Sequence, residues 1–313
     1  MFLQNVVTAG TQVLILYMIV AVGFICDKTK LYTEKASRLT NDLLFYIVTP
    51  AIIIESFTSI EYSKENLTNL MWAFFGGTLI HLIGIVISLP LFRKGEKISS
   101  VVYRFACVYG NTGYMALPLA GAVLGPQGVF FCAGVIIPFN IFAFTHGVFL
   151  MSSDSDKGKS KFNLKSLILN PGVISVVIGL PLFLLKITLP KILSEPVSYI
   201  ASINTPMAML MFGTYLAKTN LKTMFLRKQT YLVALIKLLI VPAVTFLVLR
   251  LFGISGTLLC ALMISAAAPS ANNTVMFATK YNKDTAAASQ TVAIVSFISI
   301  ITMPIMIAMA QSI

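Results

Sequence analysis

Tyr109-Gly110-Asn111-Thr112-Gly113-Tyr114, with Pro118 shortly after, interrupts a mostly apolar run from Val101 to Leu124. Ala268-Pro269-Ser270-Ala271-Asn272-Asn273-Thr274 interrupts a second such run, from Gly256 to Thr279. Gly and Pro weaken a helix by roughly 1 and 3 kcal/mol per residue. Backbone groups freed at such breaks cannot be left facing lipid. The Asn, Ser and Thr clustered at both places can satisfy those groups, or a ligand, or both.

The surroundings place both breaks in a membrane. Of 313 residues, 57% are hydrophobic and only 11% charged, with a mean hydropathy of +0.88. A soluble domain carries roughly 25% charged residues, so most soluble enzymes and nucleotide-binding modules are excluded. A helix needs about 20 residues to cross, and hydropathy gives ten candidate spans. They fall near 7–26, 36–57, 68–92, 101–124, 128–150, 167–186, 196–217, 228–252, 256–279 and 286–310. The first 26 residues lack the basic region of a secretory signal, the first lysine being Lys28.

The net charge of +12 is a topology signal. Loops after the odd-numbered spans hold 18 of the 23 Lys and Arg, counting Arg104 with its loop; even-numbered loops hold four, and Lys237 lies inside a span. The positive-inside rule then puts the odd loops in the cytoplasm and both termini outside, in a multi-pass plasma-membrane protein. Nucleic acid is not needed to explain the charge. The central loop, 152–166, is polar and contains Lys157, Lys159, Lys161 and Lys165.

Gly23 to Pro50 and Gly179 to Pro206 have the same separation, and the offset of 156 also takes Gly113 to Pro269. Each half then holds five spans, and an odd number forces the second half to run inverted. Inverted repeats with matching broken helices point to a secondary transporter with a midplane site. Under that topology the second halves of both broken helices begin at one place. Each N-terminus offers about half a positive charge and free N–H donors, which makes an anion site. The competing reading is two kinked helices with polar linings and no ligand.

Only Asp42 and Glu55 among the acids fall within spans, and neither break contains one, which suits an anion pathway better than a proton pump or cation antiporter. Glu55 is expected at the outer end of its helix and Asp42 near the inner end. Lys237 sits about 12 Å into its span at 1.5 Å per residue. It is expected to offset the negative ends of the first half-helices, with substrate contact as the alternative. His81 and His146 lack a paired ligand and read as packing or water-contacting residues. Cys26, Cys107, Cys132 and Cys260 have no metal-ligand spacing and read as small core residues. No catalytic motif, resident metal or other cofactor is expected.

At these residues the chain resembles the auxin efflux carrier family, which includes plant auxin carriers and bacterial malate or malonate permeases. The most specific stretch is Pro269-Ser-Ala-Asn-Asn-Thr-Val-Met-Phe-Ala-Thr-Lys-Tyr-Asn282. Asn111-Thr112 with Pro118, Asn170-Pro171, and Lys237 with Val241-Pro242-Ala243 are similar to further family motifs. The resemblance implies a fold like those of bile-acid and sodium/proton transporters, usually a homodimer. It implies scaffold segments 1–66 and 167–218, transport-domain segments 67–151 and 219–313, and a linker at 152–166. Pro50 and Pro206 would lie on the scaffold face, and an elevator motion would carry a carboxylate at the crossover. Plant carriers have Pro at the position of Gly110 and Asn at that of Gly172, and many have a long central loop, so a small organic acid is expected before auxin.

The expected architecture is an all-α polytopic membrane protein of ten helices in two inverted five-helix repeats with crossing broken helices. The expected site comprises Asn111, Thr112, Gly113, Tyr114, Ser270, Ala271, Asn272 and Asn273, with Gly110, Pro118 and Pro269 as breaks. Asn111 is expected to bind the carboxylate, aided by the N–H groups of Thr112 and Gly113; the alternative is that it only caps the half-helix. Rival functions are a sodium-coupled organic-anion symporter, with Na⁺ held by Asn, Ser and Thr oxygens, and a membrane metabolite sensor that transports nothing.

Overall fold

The computed structural model describes residues 2–92, 97–152, 168–219 and 225–312. The 152–166 linker, with its four lysines, lies outside the described residues except for Ser152. Among the described residues the chain is helical throughout, apart from one isolated bridge pair. The helices are α1 (Phe2–Lys28), α2 (Lys35–Ser59), α3 (Lys64–Ser88), α4 (Lys97–Val108), α5 (112–124) and α6 (126–152). They continue as α7 (Pro171–Leu184), α8 (Lys191–Ser202), α9 (Asn204–Lys218), α10 (Lys228–Leu251), α11 (Gly256–Ala267), α12 (Asn273–Lys280) and α13 (Thr285–Gln311).

Among the described residues, six helical stretches are long and apolar enough to cross a bilayer. One of them, Thr112–Ser152, runs 41 residues. At 1.5 Å per residue it would be about 60 Å long, twice the hydrocarbon core. It breaks at Gly125, whose φ of 66° and ψ of −158° belong to a region only glycine enters readily. Pro126 then starts α6. Elsewhere the expected seventh span is two helices, α8 and α9, joined at Ile203, and the sixth is shorter than hydropathy suggests.

Proline explains most local irregularities. Its missing N–H and its ring deny the carbonyl four residues back a normal helical bond. Thr49-Pro50, Leu117-Pro118 and Val241-Pro242 each follow a five-residue π-turn: Leu44–Val48, Thr112–Ala116 and Ile236–Ile240. The wider turn absorbs the mismatch without ending the helix.

Lipid-facing and core-facing stripes are both apolar. On α1, Leu14, Met18, Val22 and Ile25 are exposed, while Ala9, Val13, Leu16 and Val20 are buried. In water the first stripe would be a liability; in lipid it costs nothing. The buried stripe continues to Gly23, where α1 crosses α9. A Cβ on Gly23 would lie 2.1 Å from Leu210 O, and one on Gly213 2.1 Å from Val20 O. The two backbones touch, the small-residue contact by which helices associate without a hydrophobic driving force. α7 meets α2 through a side chain instead, with Gly179 against the Phe57 ring. The fold is thus that of a polytopic, multi-pass membrane protein.

A polar clamp joins three helix ends. Asp284 caps α13 by accepting from Ala287 N–H at 2.8 Å. Its other oxygen accepts from Ser99 of α4 at 2.7 Å and from Arg227, just before α10, at 2.8 Å. Partial burial pushes the carboxyl up, but the Ala287 N–H, Ser99 and Arg227 outweigh that and hold it below the usual carboxylate range. A carboxyl depressed in the folded state contributes stability above its unfolded pKa, and the contribution is lost as pH falls through the folded one. The unfolding temperature should therefore hold from about pH 7 to about pH 5 and drop below about pH 4. Asp284→Asn should flatten that drop while lowering the neutral value; a variant with the parent's full pH profile would remove Asp284 as its cause.

Candidate functional site

The two breaks are bonded to each other. Asn111 N–H donates to Pro269 O at 2.7 Å, and Ala271 N–H donates to Tyr109 O at 2.9 Å. Gly110 and Ser270 thereby form an antiparallel bridge. Ser270 Oγ adds a bond to Ala106 O at 2.8 Å, tying α12's approach to the end of α4. Much of the polarity expected to serve a ligand is thus used to satisfy freed backbone, as a membrane interior requires.

Asn111 has both of the roles posed as alternatives open to it. Its Oδ1 accepts from Tyr114 N–H at 3.2 Å and caps α5, while its backbone carbonyl accepts from Met115 and Ala116. Its Nδ2 is buried with no protein partner. The Thr112 N–H, expected to face a ligand, instead donates to Gly110 O at 2.9 Å, because the chain turns back sharply at the break. Gly113 makes no such bond, and a Cβ placed there would meet nothing within 4 Å. The start of α5 is therefore open beside Asn111.

Across the bridge, Asn272 Nδ2 is buried and unpartnered, and so is Thr274 Oγ1. Asn273 is half-buried at the start of α12. Thr274 lies in the quoted motif yet was not among the expected ligands; its position one residue past the paired Asn residues was the only signal. Tyr114, on the far side of Asn111, reaches Asn41 of α2 at 3.3 Å through its hydroxyl. Pro118 is buried in α5, whereas Pro50 is half-buried and Pro206 exposed. Among the described residues no group of three or more His, Cys, Asp or Glu could hold a metal ion.

Lys237 is fully buried. Its Nζ donates to Ala266 O at 3.0 Å, in the last turn of α11, where the helix dipole is negative. A Cβ on Gly110 would come within 2.9 Å of that Nζ and 3.1 Å of Ala268 O. Glycine at 110 makes room for the ammonium behind the paired breaks. Glu55 borders a cavity of roughly 220 Å³ away from the breaks, between α2, α8 and the Gly125 turn.

Helices that bury large stripes in lipid and pair two broken spans at a point with unpartnered polar side chains define a polytopic membrane protein. The chain belongs to the membrane transport protein family, whose model matches residues 8–307. This is the auxin efflux carrier family that residues 269–282 resemble, and the chain is a membrane transporter of it. It is 24% identical to an uncharacterized transporter of Methanocaldococcus jannaschii, over 87% of this chain and 89% of that one. It is 21% identical to a Rhizobium meliloti protein named "Putative malonate transporter", over 93% of this chain and 92% of that one.

Proposed function

We propose that this transporter carries small carboxylates, malonate or malate in size, across the plasma membrane with the carboxylate held where the breaks cross. The observation that carries the reading is the character of the free groups there. Asn111 Nδ2 and Asn272 Nδ2 are donors only, Thr274 can donate, and all three atoms are buried and unpartnered. No acidic residue lies in either break. A buried donor without a partner costs about 1–3 kcal/mol, which a bound carboxylate would recover. The name of the Rhizobium meliloti relative supports the same substrate class.

Ten crossings follow if α4–α5, α8–α9 and α11–α12 each count as one. The inverted repeat gains support from packing: the Gly23–Gly213 crossing and the Gly179–Phe57 crossing are related by the offset of 156 that relates Gly113 to Pro269. In this reading α1, α2, α7, α8 and α9 form the scaffold, presenting a face around Pro50 and Pro206. The other helices move as an elevator carrying the crossover, with Lys237 offsetting the dipole of α11. Both termini face outside, two copies associate, and no cofactor takes part.

Purified protein in proteoliposomes tests this. Labelled malonate should enter without a sodium gradient and exchange against internal malonate. Uptake that requires sodium would replace the reading with an ion-coupled symporter. Binding without uptake or exchange would make the protein a sensor.

A further inference from the structure

Both histidines of the chain converge on Tyr109, the residue whose carbonyl accepts from Ala271 at the paired breaks. The Tyr109 hydroxyl donates to Phe142 O at 2.8 Å and lies 2.8 Å from His146 Nδ1. A carbonyl can only accept, and with the hydroxyl proton given to Phe142 the oxygen accepts from His146 Nδ1–H. That leaves Nε2 as the basic nitrogen of His146. Protonating it breaks no existing hydrogen bond. His81 is fixed likewise, its Nδ1 donating to Gly77 O at 2.6 Å with the ring stacked on Phe142. His81 is 1% exposed, whereas His146 is half-buried.

We propose that His146 Nε2 is a proton-binding site and that the protein moves one proton together with each carboxylate anion. This rests on the transport reading above and names its coupling ion. The cation that acts on His146 is Arg104 of α4. His81 of α3 packs on the same tyrosine, the ring centroids of His81 and His146 lying 5.9 and 6.2 Å from that of Tyr109, and Lys237 of α10 acts electrostatically on His81. The Cys107 thiol acts electrostatically on Lys237. α12 brings Phe277 against Phe144, and its lysine, Lys280, sits over Tyr281 at the far end. No carboxylate is among these groups.

A proton added to His146 would face Arg104, and an anion at the adjacent breaks would offset that repulsion. Anion and proton then favour each other's binding, and by linkage the effect is reciprocal, typically 5- to 150-fold. Lys237 stands 156 residues after His81, so the two basic groups occupy equivalent places in the two repeats. His81, His146 and Lys237 lie on helices assigned above to the moving domain and Tyr109 lies in its first break, so proton and anion would travel together.

With only two histidines, ¹⁵N-histidine NMR of the unmodified protein can follow each ring, and His146→Gln identifies the signals. Saturating malonate should raise the proton affinity of His146 about tenfold, moving its titration up by about one pH unit; an unmoved titration overturns the proposal. In proteoliposomes an acid-outside gradient of one pH unit should accumulate malonate up to about tenfold above equilibrium. His146→Gln should abolish that accumulation, and its survival in the variant overturns the assignment. Malonate exchange without gradient-driven accumulation in the parent overturns proton coupling and leaves the transport reading intact. Absence of exchange strikes the transport reading itself, and the NMR titration still decides the proton site.

Discussion

Asn111→Asp should fold like the parent and lose carboxylate transport by about 100-fold or more. Aspartate accepts the Tyr114 N–H as asparagine does, so the cap on α5 is kept. What disappears is Nδ2, a buried donor without a protein partner. A hydrogen bond to a charged group contributes about 1.5–3 kcal/mol, and the new carboxylate adds repulsion between like charges in a poorly solvated place. Those terms together correspond to a loss of two decades or more at about 1.4 kcal/mol per decade. Thermal unfolding in detergent checks the fold, and initial uptake rates against malonate concentration check the site. Parent-like apparent affinity in a folded Asn111→Asp protein would show that Asn111 only caps its helix.

Gly213→Leu should be among the most damaging single changes in the fold. A Cβ there would sit 2.1 Å from Val20 O and 2.6 Å from Phe24 N, both main-chain atoms of α1. Flexible side chains can rotate away from an intruding methyl, but helix backbones cannot. α1 and α9 would have to separate by several ångströms and lose their shared seam. Overpacking of this kind typically costs about 1–3 kcal/mol, occasionally more, and the backbone contact puts this site at or beyond the upper end. The unfolding midpoint should fall by about 6 °C or more, at roughly 2 °C per kcal/mol for a chain of this size. Gly10→Ala on α1 is the control, since its nearest contact would be the Pro304 Cβ at 3.9 Å. A stable Gly213→Leu protein would mean that α1 and α9 do not cross where the structure places them.

The class of the protein was readable from composition and hydropathy, and the breaks at 109–111 and 268–272 were readable because Gly and Pro act locally. Helix ends were less so. Gly125 was legible only as a gap between two expected spans, and the joint at Ile203 gave no signal, because Ser202, Ile203 and Asn204 carry neither Gly nor Pro. Lys237 was recognised as a charge needing a partner, but nothing local identified that partner as the Ala266 carbonyl.

The sequence by itself determined that this chain is helical, lives in lipid and breaks two of its spans with polar residues, since each property follows from residue type and spacing within a few turns. Only the tertiary structure decided which polar groups remain free for a solute. The Thr112 N–H, the Ala271 N–H and the Ser270 hydroxyl looked as available as Asn111 Nδ2, yet the first bonds Gly110 within its own break and the others bond the end of α4. Tyr109 and its two histidines were likewise scattered through three expected spans until packing brought them together. Hydrogen-bond partners more than a hundred residues apart are chosen by how whole helices cross, and no local pattern carries that information.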